Sequence, residues 1–82
     1  MRQVTVAATQ FACSWDKDAN VAKAEELIRR AHGQGAQIIL IQELFETPYF
    51  CIDQKAALFD LAAPVEGNPL LARMCALAKE LE

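Results

Sequence analysis

The residues best suited to chemistry crowd into one stretch, Glu43, Glu46, Tyr49 and Cys51. A carboxylate held away from water gains proton affinity and can then serve as a general base and acid. Glu43 stands in the right place for that work. Before it runs Ile38-Ile39-Leu40-Ile41, large aliphatics without alternation, which predict a strand of a parallel sheet covered on both faces. Ligands and reacting groups of open α/β sheets gather at the carboxyl ends of such strands. Pro48 then stops regular structure, and Phe45, Tyr49 and Phe50 supply aromatic bulk for a pocket wall. From position alone, the commoner reading of such a Glu is the first solvated residue of a loop, and both readings stand at this point.

The neighbouring groups carry weaker signals. Glu46, three residues on, makes a carboxylate pair that raises glycosidase chemistry, but spacing along a chain says little about carboxyl separation. Glu46 therefore reads as a loop or salt-bridge residue. Cys51 is the tempting nucleophile, yet a reactive thiolate needs an activating neighbour and none is recognisable, so Cys51 reads as packing. Cys13, Cys51 and Cys75 are odd in number, lack metal-ligand spacing and form no Cys-x-x-Cys pair, which suits a reducing compartment better than a redox function. The single His32 has no Cys or second His nearby, so no metal site is expected.

The elements that must position these groups follow from periodicity. Val4 to Gln10 sets Val4, Val6 and Ala8 on one side against Thr5, Ala7 and Thr9 on the other, and its β-branched content predicts an inner strand. Trp15 reads as packing at the corner that follows, and Asp16 or Asp18 as the cap of a helix over about Ala19 to His32. Its stripe is Val21, Ala24, Leu27, Ile28 and Ala31, and Arg29, Arg30 and His32 complement its dipole. Gly33 and Gly35 close that helix; lying after a helix and before a strand, they do not form a phosphate loop. Strand, helix and strand make a βαβ unit with parallel strands and the usual right-handed crossover. Asp53 to Leu61 predicts a short helix and Ala63 to Gly67 a turn. Asn68-Pro69 starts a last helix with Leu70, Met74, Leu77, Ala78 and Leu81 on one face and Cys75 as a small buried hydrophobe.

The chain has 82 residues, 54% of them hydrophobic. So short a chain buries only roughly 60% of its unfolded surface, so a share of this size predicts a piece of a larger domain or an obligate partner. With 8 basic against 11 acidic residues and a net charge of −3, there is no electrostatic footprint for nucleic acid. No apolar run is long enough to span a bilayer, and the start lacks a signal-peptide core, which together predict a cytoplasmic protein.

The run Ile41-Gln42-Glu43-Leu44-Phe45-Glu46-Thr47-Pro48-Tyr49-Phe50-Cys51 resembles the first catalytic motif of the nitrilase, or carbon–nitrogen hydrolase, superfamily. The opening Val4 to Gln10 and the next helix are similar to that family's start in type and spacing. The resemblance implies an α/β protein, the N-terminal βαβ-plus-helices portion of an α-β-β-α sandwich, with residues 1–82 forming the first part of a single hydrolase domain. It implies a Glu, Lys and Cys catalytic set, with the Glu at Glu43 as general base and acid and the Lys and nucleophilic Cys in motifs beyond Glu82. None of Cys13, Cys51 or Cys75 stands in a matching motif, so the segment alone is expected to be inactive. Tyr49 matches an aromatic position beside the family's active site and is expected to wall the substrate or hydrogen-bond to it. Many members have Pro before the Glu and Gly before the Tyr, where this chain has Gln42 and Pro48. Both departures resemble the branch acting on carbamoylated amines. The expected partner is thus a small-molecule carbamoyl amine, with no cofactor, metal, nucleic acid or membrane, and with homo-oligomers in the full-length protein. The competing reading is a small non-catalytic α/β module that binds through exposed apolar faces, or another amidase of the superfamily.

Overall fold

In the computed structural model, which describes residues 2–52 and 55–82, the stretch rich in β-branched residues pairs with the aliphatic run as expected, but over fewer residues. Strand β1 is Val6–Ala8 and strand β2 is Ile38–Leu40. They are parallel, with Val6 opposite Ile38, Ala7 opposite Ile39 and Ala8 opposite Leu40. The helix joining them, α1, is Lys17–Gly33. Of the two candidate caps, Asp16 does the capping: its carboxylate accepts from the Ala19 N–H at 3.1 Å. Asp18 stays in the first turn, and Arg30 and His32 occupy the last, so charges of the favourable sign stand at both ends of the helix dipole. Gly33 completes the helix, whereas Gly35 has φ +95°, the left-handed conformation that lets the chain leave it. The Gly35 N–H donates to the His32 carbonyl at 2.9 Å and the Ala36 N–H to the Ala31 carbonyl at 3.1 Å, satisfying groups the helix end leaves open.

The chain divides into two units, Met1–Tyr49 and Phe50–Glu82. The core of the first is small: Val21, Ala24 and Ile28 on one face of α1, together with Ala36. Leu27 and Ala31, expected on that face, are half-buried. The exposed side of α1 carries Lys23–Glu26, Arg29–Glu25 and Arg30–Glu26 pairs at 3.4 to 3.5 Å, of the kind that adds little to stability. The expectation that both faces of the strands are covered is corrected. Val6, Ile38 and Leu40 are 67%, 60% and 68% exposed, and the register puts them on one side of the sheet. Ala7 and Ile39, on the other side, are half-buried. One helix covers one face of a two-stranded sheet; an apolar run without alternation implies a second layer, which the described residues do not provide.

In the second unit, two short 3₁₀ segments, Phe50–Ile52 and Ala56–Leu61, precede helix α2, Pro69–Leu81. The helix expected from Asp53 is thus a 3₁₀ segment starting at Ala56, and Asp53 lies outside the described residues. Six residues leave too little length to offset helix nucleation, which favours the tighter turn. Gly67, at φ +73°, ends the turn, and Asn68 caps α2 by accepting from the Leu70 N–H at 2.9 Å and the Leu71 N–H at 3.4 Å, with Pro69 at the first helical position. Of the predicted apolar face, Leu77 is buried, Leu70, Met74 and Leu81 are half-buried and Ala78 is exposed. Cys75, read as buried, is exposed. No helix among the described residues is long and apolar enough to cross a membrane. Replacing the cap should act locally: Asn68→Ala is expected to destabilise α2 by about 1 kcal/mol while Asn68→Asp stays near the parent, seen as the shift of the urea midpoint at unchanged slope.

Candidate functional site

Parallel strands send the chain out of the sheet at the same edge, so the segment after β1 and the segment after β2 leave side by side. Past Ala8 and Leu40 the ladder has one further backbone bond, from the Thr9 N–H to the Leu40 carbonyl at 2.9 Å. Beyond that, side chains take over. The Gln42 amide oxygen accepts from the Phe11 N–H at 2.7 Å, and its nitrogen donates to the Phe11 carbonyl at 2.9 Å and to Cys13 Sγ at 3.3 Å. The Cys13 thiol in turn donates to the Phe45 carbonyl at 3.1 Å. At the start of α1, Asn20 is 3% exposed. Its Nδ2 donates to the Ser14 carbonyl at 2.6 Å and the Glu46 carbonyl at 2.7 Å, and its Oδ1 accepts from the Ser14 N–H at 3.0 Å. Two amide side chains and one thiol thus tie the loop after β1 to the loop after β2.

Glu43 sits in the turn these ties enclose, and its side chain is exposed. The next residue, Leu44, has φ +55°. For a residue with a Cβ this left-handed backbone costs roughly 1–2 kcal/mol and persists only where the surroundings impose it. Here they do: Gln42 is held on one side, and the Phe45 and Glu46 carbonyls on the other. Thr47 is buried, with its hydroxyl donating to the Pro48 carbonyl at 3.1 Å. Tyr49 is half-exposed at the end of this unit.

Of the residues singled out from the sequence, Glu43, Glu46, Tyr49 and Cys13 are gathered in the first unit, although Glu46 enters the network by its backbone carbonyl and not by its carboxylate. Cys13 is committed at both ends, as acceptor and donor. Cys51 belongs to the second unit, where with Phe50, Lys55, Leu58 and Phe59 it lines an open cavity of about 320 Å³; it is exposed, which corrects its reading as packing. Trp15, read as packing at the corner, is 57% exposed: Asn20 fills that corner with hydrogen bonds instead. His32 is exposed at the end of α1. Among the described residues no group of three or more His, Cys, Asp or Glu side chains is placed to hold a metal ion. The roles of Asn20 and Gln42 were missed from sequence. Asn20 carried a usable signal: it lies one turn before Ala24 on the buried stripe, where a polar side chain must find partners. Chemically, the arrangement presents a carboxylate on a held loop, able to exchange a proton with a group brought to it.

A carbon–nitrogen hydrolase family model matches residues 5–82. The chain is 60% identical over 80 residues, 98% of its length, to an N-carbamoylputrescine amidase of Solanum lycopersicum, and 56% identical over the same share to one of Arabidopsis thaliana; each match covers 27% of the relative. It is also 37% identical, over 87% of its length and 25% of the relative, to a citrullinase of Francisella tularensis. The chain thus spans about a quarter of the length of the curated relatives it matches. The loop ties make a quantitative expectation: Asn20→Ala removes the partners of the Ser14 N–H and of the Ser14 and Glu46 carbonyls and should destabilise the fold by about 3 kcal/mol, measured by chemical denaturation.

Proposed function

The chain belongs to the carbon–nitrogen hydrolase family, and from that premise we propose that it supplies the general base, Glu43, to a hydrolase of N-carbamoylputrescine. The products are putrescine, ammonia and carbon dioxide. The observation that carries the substrate is the similarity itself, between 54% and 60% identity over 98% of this chain to proteins named for that activity. In this reading residues 1–82 are the N-terminal part of a single hydrolase domain with an α-β-β-α sandwich. The bare side of the sheet, with Val6, Ile38 and Leu40, is where the second sheet packs. The complete chains are cytoplasmic and assemble as homo-oligomers.

Glu43 takes the proton of a cysteine thiol contributed by the rest of the domain. The thiolate attacks the carbamoyl carbon, the C–N bond breaks, and Glu43 returns the proton to the departing nitrogen. Glu43 then takes a proton from water, which attacks the thioester-like carbon, and passes that proton to the cysteine sulfur as the carbon–sulfur bond breaks; the carbamic acid so released falls apart to amine and carbon dioxide. A lysine from the rest of the domain stabilises the oxyanion formed at each attack. Tyr49, half-exposed near the end of the same loop, walls the substrate.

This division of the machinery makes two outcomes checkable. The purified 82-residue chain should release no ammonia from N-carbamoylputrescine above background, because nucleophile and oxyanion donor are supplied from elsewhere. In a complete polypeptide in which residues 1–82 continue into the remainder of the tomato relative, Glu43→Gln should lower turnover by about 10²- to 10⁴-fold with the fold retained. A Glu43→Gln chain that keeps most of its turnover would remove Glu43 from the role.

A further inference from the structure

Gln42 spends its whole side-chain amide on another loop. One oxygen and one nitrogen take both hydrogen-bonding groups of Phe11, at 2.7 and 2.9 Å, as a neighbouring strand would. The second N–H reaches Cys13 Sγ at 3.3 Å. Glu43 is the next residue, and its exposed side chain has little packing to orient it, so its direction is set by the backbone that carries it. That backbone contains a strained position. Leu44 at φ +55° would relax to the ordinary region near about −63° by a rotation of roughly 120°, which would re-aim the peptide joining it to Glu43. What prevents this is anchorage on both sides, by Gln42 before the strained residue and by the Phe45 and Glu46 carbonyls after it.

Resting on the reading of Glu43 as the general base, we propose that Gln42 is its positioning residue: by clamping the Phe11 backbone it holds Leu44 in the left-handed conformation that fixes the direction of the Glu43 carboxylate. The role is one of aim, and a reacting group displaced by an ångström can lose about a hundredfold in rate.

The test uses the complete polypeptide described above. Gln42→Met keeps the length of the side chain and deletes all three hydrogen bonds. It should lower kcat by about ten- to a hundredfold while leaving KM within about twofold, since the base is misdirected and the substrate contacts are untouched. Glycine adopts positive φ without penalty, so Leu44→Gly added to Gln42→Met should recover kcat by roughly threefold or more. A merely structural role for Gln42 would give no such recovery. If Gln42→Met does not fold, Gln42→Glu, which keeps the length and the acceptor for the Phe11 N–H, is judged by the same kcat, KM and rescue. The proposal is overturned by a folded variant whose kcat stays within about threefold of the parent, by a loss of kcat that Leu44→Gly does not relieve, or by both variants failing to fold. The two readings separate cleanly: an active Glu43→Gln chain removes the base itself, whereas an inactive Glu43→Gln chain beside a fully active Gln42→Met chain removes only the clamp.

Discussion

The pairing of one glutamine amide with one backbone peptide, Gln42 with Phe11, is the constraint on which the loop end of this fold depends. A ladder only three residues long ends while its two chains still run side by side, and peptide groups leaving it partly shielded from water need partners. Side-chain amides carry the same donor and acceptor as a peptide and can lengthen a ladder that backbone geometry has ended. The device recurs at the other end of the sheet, where the Thr5 N–H donates to the Gln37 amide oxygen at 3.2 Å beside the backbone bond from the Gln37 N–H to the Thr5 carbonyl at 2.8 Å. Two glutamines bracketing β2 therefore stitch β1 beyond the regular strands.

Such ties matter here because the apolar core of the unit is modest. Val21, Ala24, Ile28 and Ala36 are small to medium side chains, and one face of the sheet is bare. Each hydrogen bond is worth only about 1 kcal/mol net, but the bonds act together: Gln42 meets Cys13, Cys13 meets Phe45, and Asn20 reaches Glu46 next to it. The network can therefore hold a backbone conformation that Leu44 would not adopt alone. The strain lies immediately after Glu43, so structural restraint and proposed chemistry meet at adjacent residues.

The exposure of the Glu43 side chain and the exposure of Val6, Ile38 and Leu40 have a common physical reading. Exposed apolar strands and an exposed carboxylate are both what one layer of a two-layer domain presents. In the proposed hydrolase, one closure would bury the sheet face and dehydrate the base. The chain's share of its relatives, 27% of the tomato protein, is in keeping with that division.

Local signals in the sequence determined the order of the two strands and the two α-helices, the parallel βαβ unit, the pair Asp16 and Asp18 from which the first cap is drawn, the cap at Asn68 and the turns at Gly35 and Gly67, because each rests on residues near one another in the chain. The motif around Glu43 pointed in the same way to the family. Tertiary structure decided what depends on distant partners. Trp15, Cys51 and Cys75 are exposed where packing was expected, since burial of a side chain is settled by what lies across from it. The bonds from Gln42 to Phe11 and from Asn20 to Glu46 join residues 31 and 26 positions apart, and an amide in a sequence carries no mark of which peptide it will meet. The left-handed Leu44 was illegible for the same reason: leucine's own preference is against it, and only anchors contributed from the other loop reverse that preference.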